Sequence, residues 1–223
     1  MRNVGRAGIA ACMLFAASAL AAGAGEWTES GPGWWGSRPE QKASFSDNGI
    51  TAEWKMAPGA GVSYERPGAW PPSSRVSIRM STDNVNGTGN DYVPSEACFP
   101  VSVTFAFGKD SLSLGFFSRV GLFFRHIWSG FPPSGIRLTY AWGNRVPPGS
   151  MYRLGEEETV FVVAGGDEAG KEISVVRLLS ADFQAAYGRA PKGPVTVVLV
   201  RAVRPPEEKG PLTARVSLGF PAD

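Results

Sequence analysis

Glycine (28) and proline (18) interrupt this chain every ten residues or so, and between the breaks lie short runs rich in Val, Ile, Thr, Phe and Tyr. Such punctuation leaves no room for long helices and predicts short strands joined by turns. Strands are expected at Ala43–Phe45, Ile50–Met56, Val62–Tyr64, Arg75–Met80, Val101–Phe107, Ile136–Trp142, Glu158–Ala164, Ile173–Leu179, Val195–Arg204 and Thr213–Phe220. In the fifth of these, Val101, Val103, Phe105 and Phe107 share one face, with Ser102, Thr104 and Ala106 on the other. That alternation predicts a sheet with one buried and one wet side. Ten strands without alternating helices predict an all-β fold, an antiparallel, jelly-roll-like β-sandwich.

Two segments depart from the rhythm. Between Gly115 and Phe131, a helical projection places Phe116, Val120, Phe123, Phe124, Ile127 and Trp128 on one arc, predicting an inserted amphipathic helix. Such a helix caps an open end of the sandwich, or presents Phe116, Phe123, Phe124 and Trp128 to a membrane surface or protein partner. A second, short helix is expected at Ser180–Tyr187, with Ser180 as N-cap and Gly188 as its stop.

The N-terminus carries the marks of export. Arg2 and Arg6 precede the small apolar run Ala7–Ala22, which closes on Ala22-Gly23-Ala24, the layout of a secretory signal peptide over residues 1–24. The run is short and alanine-rich for a membrane span, so no transmembrane helix is expected after leader cleavage, and the location expected is periplasmic or secreted. Residues 25–40 hold Trp27, Trp34 and Trp35 among glycines and prolines and are expected to form an irregular strap over the body. Residues 41–223 then form one β-sandwich domain. With the leader gone, Cys98 is the lone thiol, read as a small buried hydrophobe, and packing alone supplies stability.

Composition excludes several functions. Apolar residues make up 43% and charged residues 19%, which suits a folded chain, and the formal charge of +2 creates no field for nucleic acid. His126 is the sole histidine, so a zinc or copper site lacks ligands, and no Gly-x-Ser-x-Gly elbow accompanies it. No glycine-rich loop leads from strand to helix, and no cofactor is expected. The carboxylates Glu53, Glu65, Glu96, Asp110, Glu172 and Asp182 are scattered, and Glu156-Glu157-Glu158 reads as a wet turn. The most ligand-like loop is Asp83–Asp91, where Asp83, Asn86 and Asp91 offer oxygens to calcium, although such residues also dominate ordinary turns. Pro205–Pro211 reads as a solvent-exposed hairpin tip.

Two stretches carry a resemblance. Leu138-Thr139-Tyr140-Ala141-Trp142-Gly143, continuing to Pro147-Pro148-Gly149, and Arg177-Leu178-Leu179-Ser180-Ala181-Asp182-Phe183, continuing to Tyr187-Gly188-Arg189-Ala190-Pro191, resemble a bacterial exported family known as domain of unknown function 3047. That family shows a Tyr-x-Trp-Gly strand end with a Pro-Gly turn, and the resemblance implies a single β-sandwich with a leader and no established activity. Where the family tends to have paired aspartates, this chain has Glu96-Ala97-Cys98, and its end carries Arg204-Pro205-Pro206-Glu207-Glu208 in place of an Asp/Asn/Thr-rich segment. The shared residues read either as scaffold, with Arg177 pairing Asp182 across a strand-to-helix corner, or as a ligand site there.

Three functions follow as expectations. The first is non-catalytic binding of a carbohydrate or envelope component, such as a glycan or envelope protein, by Tyr140, Trp142, Arg177, Asp182 and Glu96, the aromatic faces of Tyr140, Trp142 and Trp70 offering stacking area. The second is hydrolysis of envelope polysaccharide through Glu96 and Asp182. The third is association with a membrane or partner through the 116–128 segment.

Overall fold

A computed structural model describes residues 25–30, 37–93, 97–108 and 135–220. The expected leader, Glu96, and the 116–128 segment with Phe116, Phe123, Phe124 and Trp128 lie outside the described residues. Twelve strands are described: β1 (Thr28–Ser30), β2 (Glu40–Ser46), β3 (Gly49–Met56), β4 (Ala60–Trp70), β5 (Arg75–Thr82), β6 (Val101–Phe107), β7 (Ile136–Trp142), β8 (Met151–Arg153), β9 (Glu158–Ala164), β10 (Glu172–Leu178), β11 (Val195–Arg204) and β12 (Leu212–Gly219). One α-helix, α1 (Leu179–Tyr187), follows β10.

The strands form a seven-stranded sheet in the order β1-β4-β11-β6-β7-β9-β8 and a five-stranded sheet in the order β10-β5-β12-β3-β2. Within them, β3-β12-β5-β10 lies over β4-β11-β6-β7, the strand order of a jelly roll built from two Greek keys. One pairing departs from the antiparallel expectation: β9 runs parallel to β7, Arg137 opposite Glu158. The chain leaves β7, passes outward to the edge strand β8 and folds back into the gap between them. Because β10 packs over β9, β8 projects past the edge of the smaller sheet.

Alternation decides what enters the core. On the smaller sheet Ile50, Ala52, Trp54 and Met56 of β3 and Val76, Ile78 and Met80 of β5 point inward, meeting Val103, Phe105 and Phe107 of β6 and Leu138, Tyr140 and Trp142 of β7. Each large side chain removed from water this way contributes roughly 1.5–3 kcal/mol. The opposite face of β6 is not wet as its pattern predicts: Ser102, Thr104 and Ala106 are all buried. A second apolar cluster of Phe99, Ala141, Val146, Val160 and Val162 covers part of the outer side of this sheet. The buried hydroxyls there are satisfied in a relay, Thr104 to Thr139 at 2.8 Å and Thr139 to Glu158 Oε1 at 2.6 Å, with Arg137 paired to the other Glu158 oxygen at 3.4 Å. Glu158 thus belongs to a sheet-face network, not to a wet acidic turn.

Thr28–Ser30 form a short strand on β4 where glycine and proline predict irregular chain. The indole of Trp27 stacks on Phe45 at 6.3 Å, and the buried Arg66 lies between the rings of Trp27 and Trp70. From there Arg66 donates to the carbonyls of Gly25 and Asp47, both at 2.8 Å.

Candidate functional site

Two clusters of polar side chains are built into the sandwich, one at each of two corners. The first occupies the loop expected to be calcium-like. Asp91 is buried, and its Oδ2 accepts the backbone N–H groups of Asn144, Arg145 and Val146 while Oδ1 accepts the Asn144 amide at 2.7 Å. Asn86, also buried, donates its amide to the carbonyls of Cys98 and Val203 and takes an N–H of Arg204 on its own oxygen. Asp83 lies apart and caps the backbone N–H of Thr213. The three do not converge, and among the described residues no group of three His, Cys, Asp or Glu side chains could hold a metal. The calcium expectation is therefore corrected: N–H groups of distant chain segments occupy the oxygens offered to the ion.

The same cluster lies beneath the hairpin tip, whose Pro206, Glu207, Lys209, Gly210 and Pro211 are exposed as expected. Arg204 is 1% exposed and donates to the carbonyls of Val85, Lys209 and Gly210. Its Nη1 pairs with Glu208 at 3.4 Å, and Glu208 accepts both the N–H and the hydroxyl of Thr88 at 2.7 Å. Burial pushes the Glu208 carboxyl up, but the Thr88 donors and the Arg204 charge outweigh it and hold it below its usual range. Arg145 adds a bond to the Gly87 carbonyl. The whole cluster joins three loops at one end of the sandwich, and its groups are spent on one another.

The second cluster lies where β10 turns into α1. Arg177 is the last inward-facing residue of β10, and the helix begins two residues later at Leu179. No side chain caps it, so Ser180 sits inside the first turn and not at the N-cap. The chain stops at Gly188, whose φ of 69° is the left-handed cap a glycine adopts freely. Asp182, in that first turn, accepts Arg177 twice, from Nε at 2.8 Å and Nη2 at 2.6 Å. Its Oδ2 also accepts the Tyr140 hydroxyl at 2.5 Å. A bidentate carboxylate–guanidinium pair is the strongest common side-chain contact, because both planar groups match in geometry.

Surroundings reinforce the pair. The Arg177 guanidinium lies over the rings of Phe161 and Tyr140, 5.4 and 5.7 Å from their centroids. Those two rings stack on each other at 5.5 Å. Burial, then the Asp182 charge, raises the Tyr140 hydroxyl well above its usual value, so it stays a donor. The bond to Asp182 likewise raises Arg177. Asp182 is 12% exposed at its side chain and Arg177 34%: the carboxylate is inside, and the cation reaches solvent.

Sequence reading named Tyr140, Arg177 and Asp182, and the structure brings them together. It does not do so for Trp142, which is fully buried two residues beyond Tyr140 on the same face of β7 and offers no ring to a sugar. Tyr140 is equally covered, so stacking on these two rings is corrected; Trp70 is half-buried, stacked on Phe220. Gly143, which follows Trp142, explains that motif sterically: a Cβ there would lie 2.7 Å from the Val146 carbonyl oxygen. The side chains sequence reading missed are Phe161 and Met151, on β9 and β8. Met151 is 47% exposed on the projecting edge. Nothing in the sequence signals that β9 lies parallel to β7 beneath β10, which is what puts Phe161 under Arg177.

Comparison with known proteins gives one family. A family model described as "Protein of unknown function (DUF3047)" matches residues 69–202, which include Tyr140, Phe161, Arg177 and Asp182 but not Arg204 or Glu208. No curated protein matches. Among solved structures, the xyloglucanase domain of NopAA, a type three effector from Sinorhizobium fredii in complex with cellobiose, aligns at a TM-score of 0.38 and 11% identity, covering 87% of this chain and 93% of that one. The enzymatically active domain of tailspike protein 4 from bacteriophage CBA120 aligns at 0.33 and 7%, covering 88% of this chain and 19% of that one; the chain thus spans about a fifth of the tailspike domain's length. Similarity at this level carries no argument about activity. Among the described residues no helix is long and apolar enough to cross a membrane.

Proposed function

We propose, from the premise that the chain belongs to the DUF3047 family of proteins of unknown function, that it is an exported β-sandwich that binds a carbohydrate of the cell envelope without transforming it. The signal-like N-terminus supports export. One observation carries the binding: a guanidinium fixed by a buried carboxylate, laid on an aromatic ring and still reaching solvent. Binding sites work by such preorganisation, since a polar group already immobilised loses little entropy when a ligand arrives. Phe161 and the exposed Met151 supply apolar surface beside it.

Asp182 fits an anchoring role better than that of a hydrolytic acid. Both its oxygens are engaged by Arg177, and one also by Tyr140, so its proton-accepting positions face the protein's own donors.

The test is a glycan array of bacterial envelope polysaccharides probed with the leaderless protein, followed by titration of the best binder against Arg177→Lys. Lysine keeps the charge and loses the fork, so affinity should fall about tenfold. An array without a binder, or a binder indifferent to Arg177→Lys, would refute the proposal.

A further inference from the structure

The geometry points to an acidic oligosaccharide as the ligand of this site, with one sugar carboxylate docked on the free end of Arg177; this rests on the binding role proposed above. A guanidinium presents two forks to planar acids, a side fork of Nε and Nη2 and an end fork of Nη1 and Nη2. Asp182 fills the side fork completely. Nη2 keeps one N–H and Nη1 both, and among the described residues no acceptor is recorded for Nη1. The end fork therefore stays open on a side chain 34% exposed, with its torsions already fixed. A second carboxylate matches that fork in shape and charge, whereas a neutral sugar hydroxyl uses only one of its bonds.

Charge beyond Arg177 favours the same class. Arg177 and Asp182 neutralise each other, so an added anion needs further cations nearby. Ala186 lies one turn past Asp182 on α1, about 6 Å along the axis, and its carbonyl accepts Arg153 at 3.3 Å. Arg153 also meets the Glu156 carbonyl and lies over the Tyr187 ring at 4.6 Å; it has no carboxylate partner among the described residues. Arg189 lies over Phe183 on the same helix at 5.3 Å. Among the described residues the acidic side chains beside α1 are Asp182, committed to Arg177, Glu158, paired with Arg137, and Glu156 and Glu157 at the β8–β9 turn. Guanidiniums held on aromatic rings keep their charge while giving up part of their hydration, which suits recognition of an anionic chain.

The experiment pairs oligomers of galacturonate, glucuronate and mannuronate with their own methyl esters and titrates each into the leaderless protein at low and at physiological salt. One free-acid oligomer should bind, with its ester about tenfold or more weaker and binding weakened by salt. Arg177→Lys should reproduce the loss, and should fold readily because Asp182 keeps a cationic neighbour. Arg75→Gln, on the outer face of the smaller sheet, should leave binding unchanged. Equal binding of acid and ester would overturn the acidic class while leaving the carbohydrate reading intact. Binding confined to neutral glycans, yet sensitive to Arg177→Lys, would do the same. Displacement by inorganic phosphate alone at equal affinity would replace the sugar acid with a simple anion site. Absence of binding by every glycan tested would overturn both.

Discussion

Replacing Arg204 by Met should lower the unfolding free energy by about 3–5 kcal/mol, the cost of stranding a buried ionic partner and its acceptors. Arg204 is 1% exposed and ties Val85, Asn86, Glu208, Lys209 and Gly210 into one cluster. Methionine fills part of the space but answers none of those oxygens. Glu208 would keep its bonds from Thr88 but lose its cation inside the fold. Urea unfolding followed by tryptophan fluorescence measures the loss, and for a chain of this size the melting temperature should fall by roughly 10 °C. A change within about 0.5 kcal/mol, the range of ordinary surface substitutions, would mean that the cluster is solvated and not structural.

Asp91→Ala should cost about 3–4 kcal/mol, because several buried donors lose their acceptor at once and each unsatisfied group carries a penalty of about 1–3 kcal/mol, offset in part by entering water. The stranded groups are the N–H of Asn144, Arg145 and Val146 and the Asn144 amide. The two sites are linked in series: Arg204 donates to Asn86, Asn86 donates its backbone N–H to Asn144, and Asn144 donates to Asp91. Residues in one network do not add, so the double variant should be less destabilised than the sum of the singles by about 1–2 kcal/mol. Strict additivity would show that the two ends act independently.

The fold was readable because its strands obey local rules. Val101–Phe107, Ile136–Trp142, Glu158–Ala164 and Val195–Arg204 begin and end where their β-branched and aromatic runs do. Thr28–Ser30 and Met151–Arg153 were not readable, since three residues carry no period. Nor was the parallel pairing of β9 with β7, which is decided by where the β8 turn returns the chain. The Asp83–Asp91 loop misled for a related reason. Asp and Asn serve turns and ions alike, and the partners that settle the matter for Asp91 lie 53 to 55 positions away. Pro205–Pro211 is largely exposed, as its polar composition implies, while the buried residue at its base, Arg204, reads in sequence like any strand-end arginine. The Arg177–Asp182 contact was legible because its two halves lie five positions apart across a strand-to-helix corner. Its aromatic floor, Phe161, was not, because it arrives from another strand.

The most direct measurement of the central claim is the side-chain NMR signal of the Arg177 Nε–H. A guanidinium clamped by Asp182 and ready for a ligand predicts a slowly exchanging, shifted Nε–H that collapses into the ordinary arginine envelope in Asp182→Asn, and that moves when the binding glycan is added. An Arg177 signal already averaged in the unmodified protein, or one that ignores both the substitution and the ligand, would contradict it.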